Sequence, residues 1–506
     1  MKYDYIIVGS GAGGSAAAYY LAQSGVRVLL IERGLELPRD GSTLDVGKVV
    51  AQQAFIEAER WLDRGGQSIR PQERSNLGGK TKWYGAALLR MAPHEFLGDP
   101  AHQCLPWPIS FDELLPFYEA AERLLGVRTF EIEPDLGQIV GRVTAADSRW
   151  TARPLPMALS PDILDDADEA RHFDGFASPR GLKGDAQTAF LDRVRGRSNL
   201  TVLTGKSVTA LRPADIGSHT LAGVVCDDGT QYDAQAVLLA AGALHSPRLL
   251  QTYLEHTSLA DRLPCARHVG RNYKFHVLTA VLGFGLKPQT DQLRKTTLLL
   301  HERLAHSSVQ PLGWFDGELL SAASPTRMPR WVADALGKRV YGFFLQTEDG
   351  SHPDNRVIAN ADANGRSRLD YHLDRLPAAR DEHRALVGGF KRALLRSGYL
   401  PVAEAISLEG SAHACGTLAA GNDPSTSVVD GDGRVHGLNN LYVVDGSVLP
   451  RSSRVNPALT IYAWSLRVAS RLAKNGQGRH ATDSTDSLSV SRSIKRTEAE
   501  LQILGK

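Results

Sequence analysis

Residues 4–32 place the strongest constraint on what this chain can fold into. "DYIIVG" is a short apolar, β-branched run of the kind buried in a parallel sheet. It leads into "GSGAGGSAAAYYLAQSG", where Gly9-x-Gly11-x-x-Gly14 opens an Ala-rich helical stretch, and a second apolar run, "VRVLLIE", ends on Glu32. Strand, glycine turn, helix, strand and terminal acid in this order are the context a dinucleotide site requires. Gly9 allows the tight turn, Gly11 lets the backbone approach a pyrophosphate, and Gly14 lets helix and strand pack closely. The helix start supplies free N–H groups and positive potential to phosphates, and Glu32 is placed to accept hydrogen bonds from ribose hydroxyls. A bare glycine turn would account for the glycines but not for the acid. A nucleotide is therefore expected, and this segment does not choose between FAD and NAD.

The sheet begun at residue 4 needs further strands, and they lie far downstream. "NLTVLTGKSVTAL" at 199–211 and "GVVCDDGTQYDAQAVLLAAGALHSPRLLQ" at 223–251 read as strands feeding a hairpin at "DDGT", then a buried strand ending at Ala241-Gly242. Ser246 and Pro247 then read as the N-cap and first residue of a helix. Between the first two strands and this return, "NLGGKTKWYGAALLR" places Gly78-Gly79, Thr81 and Gly85 in a flexible polar insertion. That is either a surface turn or backbone passing close to a flat ligand, where side chains would clash.

A chain of 506 residues exceeds one simple core, so a second unit is expected. "PWPISFDELLPFYEAAERLLG" predicts an amphipathic helix with Asp112 and Glu113 near its start. "VLTAVLGFG" and "RVYGFFLQTE" predict strands, with a turn at "HPDNRV". These segments read as a separate sheet covering the nucleotide domain. The tail from Asn475 is rich in Ser, Thr and charge and reads as mobile, with a short helix in "IKRTEAELQIL".

Composition excludes several classes. Net charge is +2, with scattered basic residues, so neither a nucleic-acid surface nor a polybasic membrane anchor is expected. Cys104, Cys226, Cys265 and Cys415 form no CxxC pair, which argues against a disulfide framework, a zinc site and a dithiol redox centre. No metal is expected. No apolar run is long enough to span a bilayer, and the first strand leaves no room for a signal peptide, so a soluble, cytoplasmic protein is expected.

The C-terminal part carries the chemistry. "LYVVDGSVLPRSSRVNPALTIYAW" at 441–464 gives a buried strand ending in Asp445-Gly446-Ser447 and a helix starting near Pro457, with Asn456 as N-cap. The N–H groups at that helix start also suit a developing negative charge, such as that at the N1–C2=O edge of a reduced flavin. Upstream, "SAHACG" sets His413 among small neighbours, as a packed histidine or as a proton acceptor.

Taken together, the N-terminal fingerprint with Glu32, "GGKTKWYG", "AAGALHSPRLLQ" and "HACGTLAAGNDPSTSVVDGDGRVHGLNNLYVVDGSVLPRSSRVNPALTI" resemble the glucose–methanol–choline family of FAD-dependent oxidoreductases. The four motifs come in the family's order and cover both ends and the middle of the chain. "PWPISFDELLPFYEAAERLLG" and the "NP" ending resemble its sugar-oxidising branch, which includes pyranose oxidases, gluconate dehydrogenases and glycoside 3-oxidases. The resemblance implies an α/β fold, α+β overall. A Rossmann-like FAD-binding domain would comprise 1–103, 184–270 and 411–475. A discontinuous substrate-binding domain on a second, mostly antiparallel sheet would comprise 104–183 and 271–410.

The resemblance also implies residue roles. His413 matches the family's active-site histidine, and Asn456 matches its partner, which is Asn or His in relatives. Asp445 and Gly446 match the turn at the ribityl–pyrophosphate part of FAD. Pro457 and Thr460 fall where a helix N-terminus meets the flavin pyrimidine, and Val208 falls where backbone contacts adenine. Gly78, Gly79, Thr81, Ala241 and Gly242 complete the cofactor set. Some relatives bind FAD covalently through a histidine four residues after the glycine pair; Trp83 stands there, so FAD is expected to be non-covalent.

The implied reaction is two-electron oxidation of an alcohol, first a sugar or glycoside. His413 takes the hydroxyl proton, Asn456 donates to the substrate oxygen, and the hydride goes to flavin N5. Oxygen or another acceptor then reoxidises the flavin, and an oligomer is compatible with this. Competing readings are a flavin subunit passing electrons to a separate redox partner, an oxidase of a sterol or polyol, and a non-catalytic nucleotide-binding scaffold. His436 and "GDGR" read as loop and turn, and His245, after the buried strand, as a packing residue first and a neighbour of the nucleotide second.

Overall fold

The apolar run Lys2–Val8 is the hub of a seven-stranded sheet in the computed structural model, which describes residues 2–215, 217–323, 328–410 and 412–480. It pairs in parallel with Val28–Ile31 on one side and Gln231–Leu239 on the other, and Leu200–Leu203 adds beyond Val28–Ile31. Residues 6–8, Val28–Ile31 and residues 236–239 of these strands are apolar and buried because helices cover the sheet. The "DDGT" hairpin joins Leu221–Cys226 to Gln231–Leu239, antiparallel, with Gly229 at φ +79°. Leu441–Val443 then pairs in parallel with Val237–Leu239, so the C-terminal segment returns to the first sheet. This is the Rossmann-like topology expected from residues 4–32.

The helix Ala12–Gln23 packs against the long helix Ala458–His480, whose Ser465 hydroxyl donates to the Gly13 carbonyl at 2.5 Å. That second helix continues into the stretch from Asn475 that was expected as tail; the rest of that tail lies outside the described residues.

Two expectations are corrected here. The helix after Gln231–Leu239 starts at Gly242, not Ser246, and includes Pro247 within it. Its early start is stabilised by Asp445, whose Oδ2 accepts the Gly242 N–H at 2.8 Å, while the Ser246 hydroxyl donates to the same oxygen at 2.5 Å. The helix Phe111–Leu125, capped by Ser110 and Glu113, packs on Ala458–His480 rather than on the second sheet. Its Leu114, Tyr118 and Ala121 join the core of the first sheet, so residues 104–183 divide between the two parts of the molecule.

The second sheet has six strands, all antiparallel, in the order Leu400–Ala405, Val277–Phe284, Val340–Thr347, Ser307–Pro311, Thr297–His301 and Trp150–Pro154. Period-2 alternation gives it two faces. Tyr341, Phe343 and Leu345 pack under the helices Pro134–Ala146 and Pro377–Arg396, against Leu386 and Phe390 among others. Each such fully buried side chain contributes about 1.5–3 kcal/mol. The intervening residues Phe344 and Gln346 face the other way, into a cavity shared with the first domain.

Candidate active site

The cavity, about 1200 Å³, runs from the Gly9–Gly13 turn and Glu32 to His413 and Asn456. That exceeds the roughly 300–1,000 Å³ of a pocket for one drug-sized molecule. At one end, the helix Ala12–Gln23 begins with no side chain capping its N–H groups and no acid in its first turn. A Cβ added at Gly11 would meet nothing within 4 Å, so only open cavity lies in front of this backbone. An uncapped helix start behind a glycine is a fitting cradle for a pyrophosphate. Glu32 holds the turn: Oε2 accepts the Ser10 N–H at 2.9 Å and the Ser10 hydroxyl at 2.6 Å, and Oε1 accepts the Gly34 N–H at 2.8 Å. Oε1 keeps an unused lone pair for a further donor such as a ribose hydroxyl.

Gly9, Gly79, Thr81, Val208, Ala241 and Gly242 line the same cavity, as do Asp445, Gly446, Asn456 and Pro457. Three expected residues do not. Gly14 faces the strand, where a Cβ would sit 1.9 Å from the Gly9 carbonyl oxygen, which is the packing role read from the sequence. Gly78 takes φ +87° and donates its N–H to Ser10 Oγ at 3.0 Å, so it shapes the insertion from behind. Thr460 is fully buried with its hydroxyl 2.8 Å from that of Tyr118. Its side chain locks two helices together instead of facing a ligand.

Asp445 is saturated by the protein. Beyond Gly242 and Ser246, its Oδ1 accepts the Ser447 N–H at 2.9 Å and the Ser447 hydroxyl at 2.5 Å. Burial pushes its carboxyl up, against these hydrogen bonds. Asp445 thus ties its own turn to the helix start at Gly242 in the cavity wall. Thr81 acts similarly, donating to the Gly78 carbonyl at 2.7 Å and accepting the Ala186 N–H at 3.0 Å.

His413 and Asn456 occupy the other end. Burial, then His276, Lys80 and Lys295, keep the His413 imidazole well below its ordinary value, hence neutral. The Asn456 side chain was expected as a helix cap; instead its Oδ1 accepts the Gln310 amide at 2.5 Å, which leaves its NH₂ to donate. Trp83 lines the cavity with its indole N–H given to Asn76 Oδ1 at 2.9 Å and the Arg74 guanidinium 4.0 Å from its ring centre. It offers no nucleophile there.

Several residues escaped the sequence reading. Gly13 lies in the quoted "GAGG", and a Cβ there would sit 1.9 Å from the Val444 carbonyl oxygen, so the position admits only glycine. Gln310, Phe344, Gln346 and Glu404 line the cavity from strands of the second sheet, where no motif marked them. His245, read first as packing and second as a neighbour of the nucleotide, is at the cavity wall. Its ring nitrogens lie 2.9 Å from Arg33 and 3.1 Å from Arg248, and burial with these cations keeps it neutral. His436 only orders its loop, 3.0 Å from Ser427 Oγ.

Comparison with known proteins gives the family. Residues 4–269 match the family described as FAD dependent oxidoreductase, and residues 352–465 the family described as GMC oxidoreductase. The chain is 30% identical to paromamine 6'-oxidase of Streptomyces fradiae, over 94% of this chain and 92% of that protein. It is equally 30% identical to 6'''-hydroxyparomomycin C oxidase of Streptomyces lividus, with 94% and 92% covered. Among solved structures, pyridoxine 4-oxidase from Mesorbium loti superimposes with a TM-score of 0.69 at 21% identity, covering 93% of this chain and 99% of that one. That last likeness is one of fold.

Proposed function

The chain belongs to the GMC family of FAD-dependent oxidoreductases acting on alcohol groups, and from that premise we propose that it oxidises a hydroxyl of an aminosugar or its glycoside to a carbonyl. The observation that carries the reading is the meeting of a neutral His413 and a donor-oriented Asn456 in one cavity with the uncapped glycine turn. In this reading the turn Gly9–Gly13 holds the pyrophosphate of FAD, Glu32 its ribose, and the backbone at Val208 its adenine. Gly79–Thr81 and Asn456–Ala458 border the flavin end. FAD supplies the two-electron acceptor for the carbinol hydride.

The chain's own residues do the rest. Asn456 donates to the substrate oxygen and fixes its orientation. His413, uncharged at working pH, accepts the hydroxyl proton, a contribution of typically ~10²–10⁴ in rate. The two relatives named as oxidases of aminoglycosides favour an aminosugar, and the cavity supports this independently. Gln310, Phe344, Ala280 and Glu404 are successive cross-strand neighbours, so they form one row across the sheet at spacings of about 4.8 Å. The row offers a polar end at Asn456, an aromatic platform for a sugar face, and an exposed carboxylate placed for an ammonium group.

We take oxygen as the acceptor, FAD as non-covalent, and the cytoplasm as the compartment, the last because the four cysteines are free thiols. The test is anaerobic bleaching of the flavin by a panel of aminosugars, neutral glycosides, polyols and sterols, then readmission of oxygen. Bleaching by aminosugars, weakened about tenfold in KM by Glu404→Gln and unchanged for neutral sugars, is expected. Bleaching by sterols alone would overturn the substrate class.

A further inference from the structure

Behind His413, away from the cavity, stands a second histidine that no motif marked. His276 is fully buried, and its Nδ1 lies 3.0 Å from His413 Nδ1, with the rings edge to face at 83°. Its other nitrogen, Nε2, lies 2.7 Å from the Ser453 carbonyl oxygen. A carbonyl only accepts, so Nε2 of His276 carries a proton. In the neutral ring its Nδ1 is then an acceptor, and the proton between the two rings belongs to His413 Nδ1. His413 Nε2 is left with its lone pair.

The arrangement is held under strain. His276 has φ +68° and Ser453 φ +67°, both in the left-handed region that a non-glycine residue rarely adopts. Each strained backbone is pinned by a buried carboxylate. Asp349 accepts the N–H of Phe275 at 2.9 Å and of His276 at 3.2 Å, and Glu348 Oε1 accepts the N–H of Ser453 at 2.9 Å. Two left-handed residues at the two ends of one hydrogen bond are a costly way to pack a core. They are a direct way to aim an imidazole.

We propose that His276 is a positioning residue that fixes His413 as the Nδ1–H tautomer, so that Nε2 is the atom that receives the substrate proton. In that step the O–H bond of the alcohol breaks, the proton bonds to Nε2, and the His413 imidazolium keeps its Nδ1–H on His276. The inference rests on the reading of His413 as the base, and its first test does not need a substrate.

That test is ¹⁵N NMR of the FAD-loaded enzyme labelled at histidine side chains, with the His413 signals assigned by their loss in His413→Ala. A protonated Nδ1 and an unprotonated Nε2 on His413 are expected. The reverse pattern, which a doubly protonated His276 would impose, overturns the proposal whatever the kinetics. The second test compares His276→Asn with His276→Phe. Asn tolerates the left-handed backbone and places an amide oxygen where Nδ1 stood; Phe fills the space without an acceptor. Flavin reduction is expected to slow by roughly 10²-fold in the Phe variant, and at least tenfold of that loss is expected back in the Asn variant. Equal rates in the folded Phe variant and the unmodified enzyme overturn the proposal. If His413→Ala itself reduces flavin at the normal rate, the base assignment fails instead, and the NMR result still decides the tautomer.

Discussion

Gln310 and Asn456 join the two halves of the molecule: the Gln310 amide, from the second sheet, donates to Asn456 Oδ1 at 2.5 Å, at the start of the helix that covers the first sheet. The bond decides which way the Asn456 amide faces, because turning its oxygen to Gln310 directs its NH₂ the other way, as a donor. Gln310→Ala should therefore leave FAD stoichiometry intact and lower the rate of flavin reduction about tenfold, the worth of one hydrogen bond of roughly 1–1.5 kcal/mol. Rapid-mixing reduction kinetics with a flavin-to-protein absorbance ratio test both halves of the statement. An unchanged rate would detach Gln310 from the site.

With His413 as the proposed base, its protonation would set the acid limb of the reaction. Burial, reinforced by His276 and the two lysines, holds it well below the usual histidine range, and only the uncharged ring accepts a proton. Activity should hold as pH falls through the ordinary histidine range, since the ring takes up a proton only well below it. A plot of kcat/KM against pH with its acid midpoint at or above an ordinary histidine value would contradict this. His413→Ala should keep its flavin while reduction slows by ~10²–10⁴.

At the other end of the cavity, Gly14→Ala places a methyl 1.9 Å from the Gly9 carbonyl oxygen, and backbone on both sides has little room to give. Overpacking of this kind costs about 1–3 kcal/mol. The strand and the helix start must part, which spoils the phosphate cradle. Purified protein should carry substoichiometric flavin and melt at a lower temperature than the unmodified chain.

Glu348 is fully buried between Arg451, at 2.9 and 2.6 Å, and His306 Nδ1, at 2.9 Å. Burial alone would raise its carboxyl, but these partners outweigh burial and hold it far below the usual range. Its folded value thus lies beneath its unfolded one, so its contribution is present above the ordinary glutamate range and is lost as pH falls through that range and beyond. Glu348→Gln strands Arg451 and should cost about 3–5 kcal/mol near neutrality. Chemical denaturation across pH should also show a flatter acid decline in the variant.

The colour of the protein tests its link to FAD. Trp83 has no reactive nitrogen to offer, with its N–H bound to Asn76. Acid precipitation should release the yellow chromophore into the supernatant and leave a white pellet. A yellow pellet would mean a covalent bond.

The nucleotide half was legible in the amino-acid sequence because its determinants are local. Gly9, Gly11, Gly14 and Glu32 act within one strand–turn–helix–strand unit, and spacing alone encodes their geometry. The apolar runs likewise fixed which segments become buried strands. His413 and Asn456 were found through their motifs, but the contacts that orient their side chains were not in those motifs. Those contacts come from His276 and Gln310, 137 and 146 residues away in the chain, the first just before the strand Val277–Phe284 and the second within Ser307–Pro311, with one strand of the second sheet between them. The same holds for Glu404, whose place in a row with Phe344 depends on register between strands far apart in sequence. A hydrogen bond between remote segments leaves no periodicity for a sequence to show. Strand register, two left-handed residues and two buried carboxylates decide it, and these exist only once the chain has closed on itself.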